Sequence, residues 1–475
     1  MSSHLLIVGQ YTYPVHRERL LTGSGSLKIP FQNSNKEQIL GLCKDFARVG
    51  VGDRIYFYVV KDGDLQATRK TLLNLYNRLF NEKCAERRSK ITVINAIKQH
   101  LVGRPDAEEA LLRAIEEEEQ DSSEELPKKT YRYLLEILGN PEPLLSDGFY
   151  GIFTVIEEPY LMQYSREYER EKNVYGRGEF VRNMINNYLW MRIKVKPKML
   201  FPTPISEFEL LDDFSDEVIS WTLIYRKLFG GRSCTSVPPV EEQKILRLLN
   251  NRNPSILGNT QPDYNVLENR VMSTLESGGV EFIFEPIWDN NRALGAISVG
   301  DYVKNLNNSN ADNLLSEDLL EANILYELTN LSRNEITISP NVKDKFRELL
   351  NFPQEEITWI GNQVVCSAGN STSDIVSFHG PVQTTLPTSI SVIELKNVAL
   401  ESDNIRQVGK YARWLSSTYL NRKIDKVRHV LIGWSKDKTL DPTIIEAVRN
   451  GGFPFPVNIL TYHLDNFRVV LTRHL

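Results

Sequence analysis

Two short runs, Asp374-Ile375-Val376-Ser377-Phe378 and Val392-Ile393-Glu394-Leu395-Lys396, are rich in β-branched residues and bounded by Gly, Pro and Ser, the pattern of strands. A period of two puts Val392, Glu394 and Lys396 on one face of the second run and Ile393 and Leu395 on the other. The segment 380–388, with two prolines, predicts a connection that folds the first strand back beside the second and brings Asp374 near Glu394. Downstream, Ile405, Val408, Ala412 and Leu415 recur at helical spacing, predicting a helix over 404–418 with Gln407 and Tyr411 one turn apart.

The same patterns organise the rest of the chain. Strands are predicted over 5–8, 52–60, 148–159 and 190–197, with a polar loop between the first two. An amphipathic helical region of roughly 68–137 interrupts them and reads as an insertion. Helical spacing of Trp221, Tyr225 and Leu228, and again over 243–249, marks 205–260 as largely helical, and the Asn-, Pro- and Gly-rich stretch 250–264 reads as a linker. A helix over 264–276, a strand over 280–287 and a second polar linker beginning in 299–306 are expected next. After them come a helix over 316–325, strands over 429–434, 457–462 and 467–472, and a helix from Asp441-Pro442 to Gly451-Gly452. The fold class expected is α+β and multidomain.

A corner formed by Asp374 and Glu394 would bind Mg²⁺ or Mn²⁺ through hard oxygens, and such an ion activates water and neutralises charge on a phosphate. Lys396 adds a positive charge on the same face, while Lys410, Tyr411 and Arg413 on the following helix are expected to contact nucleic acid, the two cations at phosphates. An E-x-K tripeptide by itself is also what a half-exposed strand shows; the order of acidic strand, E-x-K strand and Gln/Tyr helix carries the signal.

This segment resembles the PD-(D/E)XK nuclease superfamily, with Asp374 as the first acidic residue and Glu394-Leu395-Lys396 as the E-x-K signature. Gln407 with Tyr411 resembles the Q-x-x-x-Y helix of the RecB-like and NucS-like branches. The resemblance implies that Asp374, Glu394 and the Leu395 carbonyl hold the metal, that Lys396 orients the attacking water or stabilises the phosphate, and that Gln407 positions the phosphate or a metal-bound water. It also implies a further Glu on the preceding helix as an outer metal ligand, for which Glu321 is preferred over Glu317. The strands of 1–204 resemble the PUA-like superfamily that includes EVE and YTH domains. That resemblance implies a barrel holding a flipped or single-stranded base, with Trp190, Tyr160 and Tyr150 as the aromatic pocket and Arg192 and Lys194 at the adjacent phosphates.

Composition limits these expectations without reversing them. With 475 residues, two or three domains of ~150 residues are accommodated. The net charge of −5 does not mark a nucleic-acid binder, but basic residues cluster locally, at Lys194, Lys196 and Lys198 and from Arg406 to Arg428, while acidic charge gathers at 116–125. Cys43, Cys84, Cys234 and Cys366 have no paired spacing, which argues for reduced, buried thiols. No apolar run suits a membrane helix or a signal peptide, so no membrane partner and a cytoplasmic location are expected.

The domain reading is a PUA-like reader over 1–204 with a helical insertion at about 65–145, a helical or mixed connecting region over 205–310 and a nuclease domain over 311–475. The function expected is a metal-dependent DNA endonuclease of restriction or defence, acting as a homodimer, with a reader for possibly modified DNA. RNA stays open as the substrate. A non-catalytic nucleic-acid-binding or assembly protein and a repair nuclease for branched or mismatched DNA are the alternatives.

Overall fold

The computed structural model describes residues 2–9, 20–28, 33–60, 69–80, 90–101, 104–121, 145–162, 188–213, 234–254, 263–265, 270–274, 281–284, 296–308, 315–332, 346–353, 355–366, 372–381, 384–465 and 468–475, with Tyr13, His16 and Arg17. The chain mixes helices with sheets. It divides into two compact units, one of residues 8–15 and 59–148 and the other of 1–7, 16–58 and 149–475.

The smaller unit has a helical core. Helices α2 (Arg69–Phe80), α3 (Lys90–Leu101) and α4 (Ala107–Asp121) bury Leu72, Leu75, Val93, Ile94, Ile97 and Ile115 against one another. Spacings of three and four along each helix supply that apolar stripe. The acidic residues beyond Asp121 lie outside the described residues.

In the larger unit, an eight-stranded sheet has the order β11-β5-β6-β4-β3-β1-β7, with β2 also paired to β6. Its strands are β1 (Ser3–Gly9), β2 (Leu21–Lys28), β3 (Arg54–Val60), β4 (Gly148–Val155), β5 (Tyr160–Met162), β6 (Tyr188–Ile205), β7 (Cys234–Val237) and β11 (Ala296–Ser298). Runs such as Ile55-Tyr56-Phe57-Tyr58-Val59 are buried throughout, as expected of strands covered on both faces. The polar loop expected between 8 and 52 is instead β2 and helix α1 (Asn33–Ala47). Gly23, with φ of 154°, lies where a side-chain carbon would meet the Met191 carbonyl oxygen at 1.9 Å, so β2 needs a glycine to approach β6.

The connecting region, expected as helical or mixed, contains both helices and strands, and local readings within it differ. β7 pairs with β1 and β11 with β5, so 205–310 contributes strands to the first sheet. The stretch expected as a helix over 264–276 contains β8 (Asp263–Asn265) and β9 (Arg270–Thr274), which form a small antiparallel sheet with β10 (Glu281–Phe284). The stretch 299–306, expected as linker, is helix α7 (Val299–Asn308). Helix α5 (Glu207–Asp212) carries a capping box between Ser206 and Glu209, and α6 (Pro239–Arg252) starts on a proline, a favoured first helical residue. Trp221, Tyr225, Leu228 and 230–233 lie outside the described residues.

The C-terminal sheet has six strands in sequence order: β12 (Ile357–Val365), β13 (Thr372–His379), β14 (Ser389–Leu395), β15 (Val427–Trp434), β16 (Val457–Asp465) and β17 (Arg468–Arg473). β12, β13 and β14 run antiparallel; β14, β15 and β16 are parallel, joined by helices α9 (Ser402–Tyr419) and α10 (Pro442–Asn450). The 380–388 connection does fold β13 back beside β14, with Ile375 opposite Ile393. Ile405, Ala412, Leu415 and Tyr419 of α9 pack with Val376, Phe378, Val392 and Leu431 of the sheet in one apolar core. Gly433 permits the close approach of Leu400, whose Cγ would stand 2.5 Å from an added methyl carbon. Helix α8 (Glu317–Ser332) lies against β12, β13 and β14 and buries Leu320, Ile324 and Leu328.

Candidate functional site

The strand register builds the site. One step beyond the pair Ile375↔Ile393 stand Asp374 and Glu394, on the same face as Val376 and Val392. Across from Asp374 on the other side is Gln363 of β12, bracketed by the pairs Asn362↔Ile375 and Val364↔Ser373. Three neighbouring strands therefore set Gln363, Asp374 and Glu394 side by side where β14 ends. Gln363 has φ of 49°, a left-handed conformation inside a strand. Such strain in a non-glycine residue persists only where its surroundings hold it.

Hydrogen bonds lock this arrangement. The Leu395 amide donates to Asp374 Oδ2 at 2.7 Å, and Gln363 Nε2 donates to Asp374 Oδ1 at 3.1 Å. Lys396 Nζ donates to Glu394 Oε1 at 3.0 Å and to the Leu395 carbonyl at 2.9 Å. The backbone N–H of Lys396 donates to the Ile432 carbonyl, anchoring the lysine just past the strand end. Glu394 Oε2 is buried with no hydrogen-bond partner among the described residues. A buried carboxylate oxygen without a donor is costly and points to a missing cationic or protic partner.

The electrostatics agree. Burial, then the charge of Asp374, pushes the Glu394 carboxyl up to about 8, against the opposing pull of Lys396. Burial also raises Asp374, although the Leu395 amide and Lys396 hold it back. Burial tends to lower Lys396, but Glu394 and Asp374 outweigh it and its ammonium is held above the usual lysine range. Asp374 and Glu394 thus share a desolvated corner with Lys396, and Glu317 adds negative charge close enough to raise all three, an imbalance that favours a proton or a second cation.

Glu321 of α8 is drawn to the same place and is almost fully buried. Its Oε1 accepts from Asn362 Nδ2 at 3.2 Å; its Oε2 accepts from Gln363 Nε2 at 3.0 Å and from Lys44 Nζ at 3.0 Å. Among the described residues, no group of three or more His, Cys, Asp and Glu side chains is placed to hold a metal ion. The hard-oxygen set available is Asp374, Glu394 and the Leu395 carbonyl. Mg²⁺ commonly takes one or two carboxylates and keeps several waters, so this donor set and the orphaned Glu394 oxygen fit it.

On α9, Gln407, Lys410 and Arg413 are exposed, whereas Tyr411 is buried and donates its hydroxyl to the Thr372 carbonyl at 2.9 Å. Tyr411 therefore ties the helix to the strand that carries Asp374. The proposed reader residues lie on the first sheet: Tyr160 stands opposite Arg192, and Lys194 Nζ is 5.9 Å from the Tyr160 ring centroid and pairs with Glu157 at 2.7 Å. Tyr150, Tyr160, Arg192 and Lys194 are all buried, and the Trp190 side chain lies outside the described residues. Cys43, Cys234 and Cys366 are free and buried, as their spacing suggested, while Cys84 lies outside the described residues.

Sequence reasoning missed Gln363 and Lys44. Nothing in their local patterns marks them, because one acts through a left-handed backbone and the other through a contact 277 residues away.

No family model, no curated protein and no solved structure matches the chain.

Proposed function

We propose that the chain is a divalent-metal-dependent phosphodiesterase that cuts DNA, with the first sheet as a nucleic-acid reader. The observation that carries this reading is the buried corner of Asp374 and Glu394, with Lys396 beside it and one Glu394 oxygen without a hydrogen-bond partner among the described residues. The β12–β16 arrangement supports it as well, because an antiparallel hairpin followed by a parallel crossover delivers both carboxylates and the lysine to one sheet end.

In this reading Asp374, Glu394 and the Leu395 carbonyl would hold Mg²⁺ or Mn²⁺. Such an ion, when bound, would lower the pKa of a water and neutralise charge on the phosphate. Lys396, tethered to Glu394 and the Leu395 carbonyl, presents an ammonium to the attacking water or to the phosphate oxygens. Lys410 and Arg413, exposed on α9, meet the backbone of the nucleic acid, and Gln407 stands exposed beside them. The first sheet is the candidate reader by resemblance alone, since Tyr150, Tyr160, Arg192 and Lys194 are buried within it and other residues of that part would have to make the contacts. Restriction or defence is the setting that joins a reader to a cutter, and cutting both strands calls for two copies of the site.

The test is nicking of supercoiled plasmid in Mg²⁺ or Mn²⁺. Wild-type protein should nick; Glu394→Ala, Lys396→Ala or addition of EDTA should abolish it. Equal nicking by the variants would sink the assignment.

No helix among the described residues is long and apolar enough to cross a membrane.

A further inference from the structure

Among the buried cations that the mechanism above does not use, Lys44 lies nearest in contacts to the corner. Lys44, on α1 of the N-terminal part, donates from Nζ to Asp318 Oδ1 at 2.6 Å and to Glu321 Oε2 at 3.0 Å. Its side chain is 10% exposed and that of Glu321 1%, so the pair lies inside the protein rather than on its rim. α1 packs along α8 and also lies against β2, which pairs with the proposed reader strand β6.

From Lys44 a continuous set of contacts leads to the corner. Glu321 accepts from Lys44 and from Gln363; the same Gln363 amide nitrogen donates to Asp374; and Thr372 Oγ1 donates to Gln363 Oε1 at 3.4 Å. Gln363 is held in its left-handed backbone conformation, so its amide is presented in one direction. Glu321 has three donors on its two oxygens without any metal, which makes it an acceptor that orients Gln363. Removing Lys44 would leave a buried carboxylate short of its cation, and such a group protonates or turns away, releasing its other partners.

We propose that Lys44 is a positioning residue for the cation-binding corner: through Glu321 and Gln363 it fixes the orientation of Asp374, so a helix of the N-terminal part completes the C-terminal site. The proposal rests on reading that corner as a metal-dependent cleavage site. It makes the C-terminal sheet insufficient alone and gives the reader's side of the molecule a direct physical connection to the carboxylates.

The test uses the full-length chain and two readouts, Mn²⁺ binding followed by electron paramagnetic resonance and plasmid cleavage with kcat and KM separated. Lys44→Met should weaken Mn²⁺ binding by about tenfold or more and lower kcat by a similar factor, the range for residues that orient metal ligands, while KM for DNA stays unchanged. Lys44→Arg, which keeps the charge and the reach, should restore both to within about threefold of wild type. The sign is decisive. Simple removal of a positive charge from beside an anionic site predicts tighter Mn²⁺ binding, so tighter or unchanged binding by a folded Lys44→Met overturns the proposal.

Gln363→Leu keeps the contacts of Lys44 with Asp318 and Glu321 and cuts the connection to Asp374. It should reproduce the loss and decides the matter if Lys44→Met does not fold. Wild-type protein that binds and cuts, beside variants that match it, overturns this proposal alone. Wild-type protein that neither binds Mn²⁺ nor cuts overturns the cleavage reading and this proposal together.

Discussion

Glu394→Gln in cation-free buffer probes the corner without any assumption about substrate. In the folded chain the Glu394 carboxyl is raised from its usual 4.5 to about 8 by burial and by Asp374. The native state therefore holds this proton more tightly than the unfolded chain. The contribution of the group to stability is fully present below about pH 4.5 and is lost as pH rises toward about 8. A rise of that size corresponds to a ceiling of about 5 kcal/mol at ~1.4 kcal/mol per unit. Asp374 shares the cost, and the partly exposed Lys396 admits water, so the recoverable part is about 1–3 kcal/mol. Glutamine has the same shape and never ionises, and its amide oxygen can still accept from Lys396. In EDTA at pH 9 the variant should therefore melt several degrees above wild type, followed by tryptophan fluorescence, since Trp359 and Trp414 sit in or against the core of this sheet. At pH 5 the two curves should converge. A variant that melts at or below wild type at pH 9, or whose advantage persists at pH 5, would refute the reasoning.

Other outcomes follow from the same geometry. Metal binding must displace the proton on the carboxyl pair, so apparent Mn²⁺ affinity should rise by up to about tenfold per pH unit below pH 8, with proton release visible when calorimetry is repeated in buffers of different ionisation heat. Tyr411→Phe removes the bond to the Thr372 carbonyl and should cost about 1 kcal/mol of stability with little change in DNA affinity, read by denaturant unfolding and filter binding. Lys410→Ala with Arg413→Ala should weaken DNA binding and reduce the slope of log affinity against log salt by about 2, since both side chains are exposed on α9. Gly433→Ala forces a methyl into Leu400 and should destabilise the C-terminal sheet by about 1–3 kcal/mol in the same unfolding assay.

The parts of the site that sequence alone exposed are those with local causes. β13, β14 and α9 were legible because β-branched runs, a Pro-bearing connection and a helical apolar stripe each act over a few residues. The register that sets Asp374 beside Glu394 then follows from the direction of the fold-back. α1 was not legible: its first half is polar and Gly41 interrupts it, so burial of Leu40, Cys43 and Phe46 at the tertiary level stabilises it. Lys44 was invisible for the same reason. β12 and Gln363 escaped because a left-handed residue inside a strand has no composition signature outside Gly, Asn and Asp. The stretch 264–276 misled because Val266, Leu267, Val271 and Leu275 also fit helical spacing, although Gly278-Gly279 is a hairpin signal before the partner strand. Glu321 was found, but sequence placed it as an outer metal ligand; its three donors are visible only once α1, α8 and β12 have packed.

The central claim is that the Asp374–Glu394–Lys396 corner cuts DNA with the help of a divalent cation. The most direct measurement is cleavage of unmodified, cytosine-modified and adenine-methylated plasmid in Mg²⁺ or Mn²⁺ by wild-type protein beside Lys396→Ala. The account predicts cutting by the wild type alone, with preference for one modified class if the first sheet reads the base. If neither protein cuts any plasmid while both bind DNA equally, the account is contradicted and the chain is a nucleic-acid-binding protein without a cleavage site.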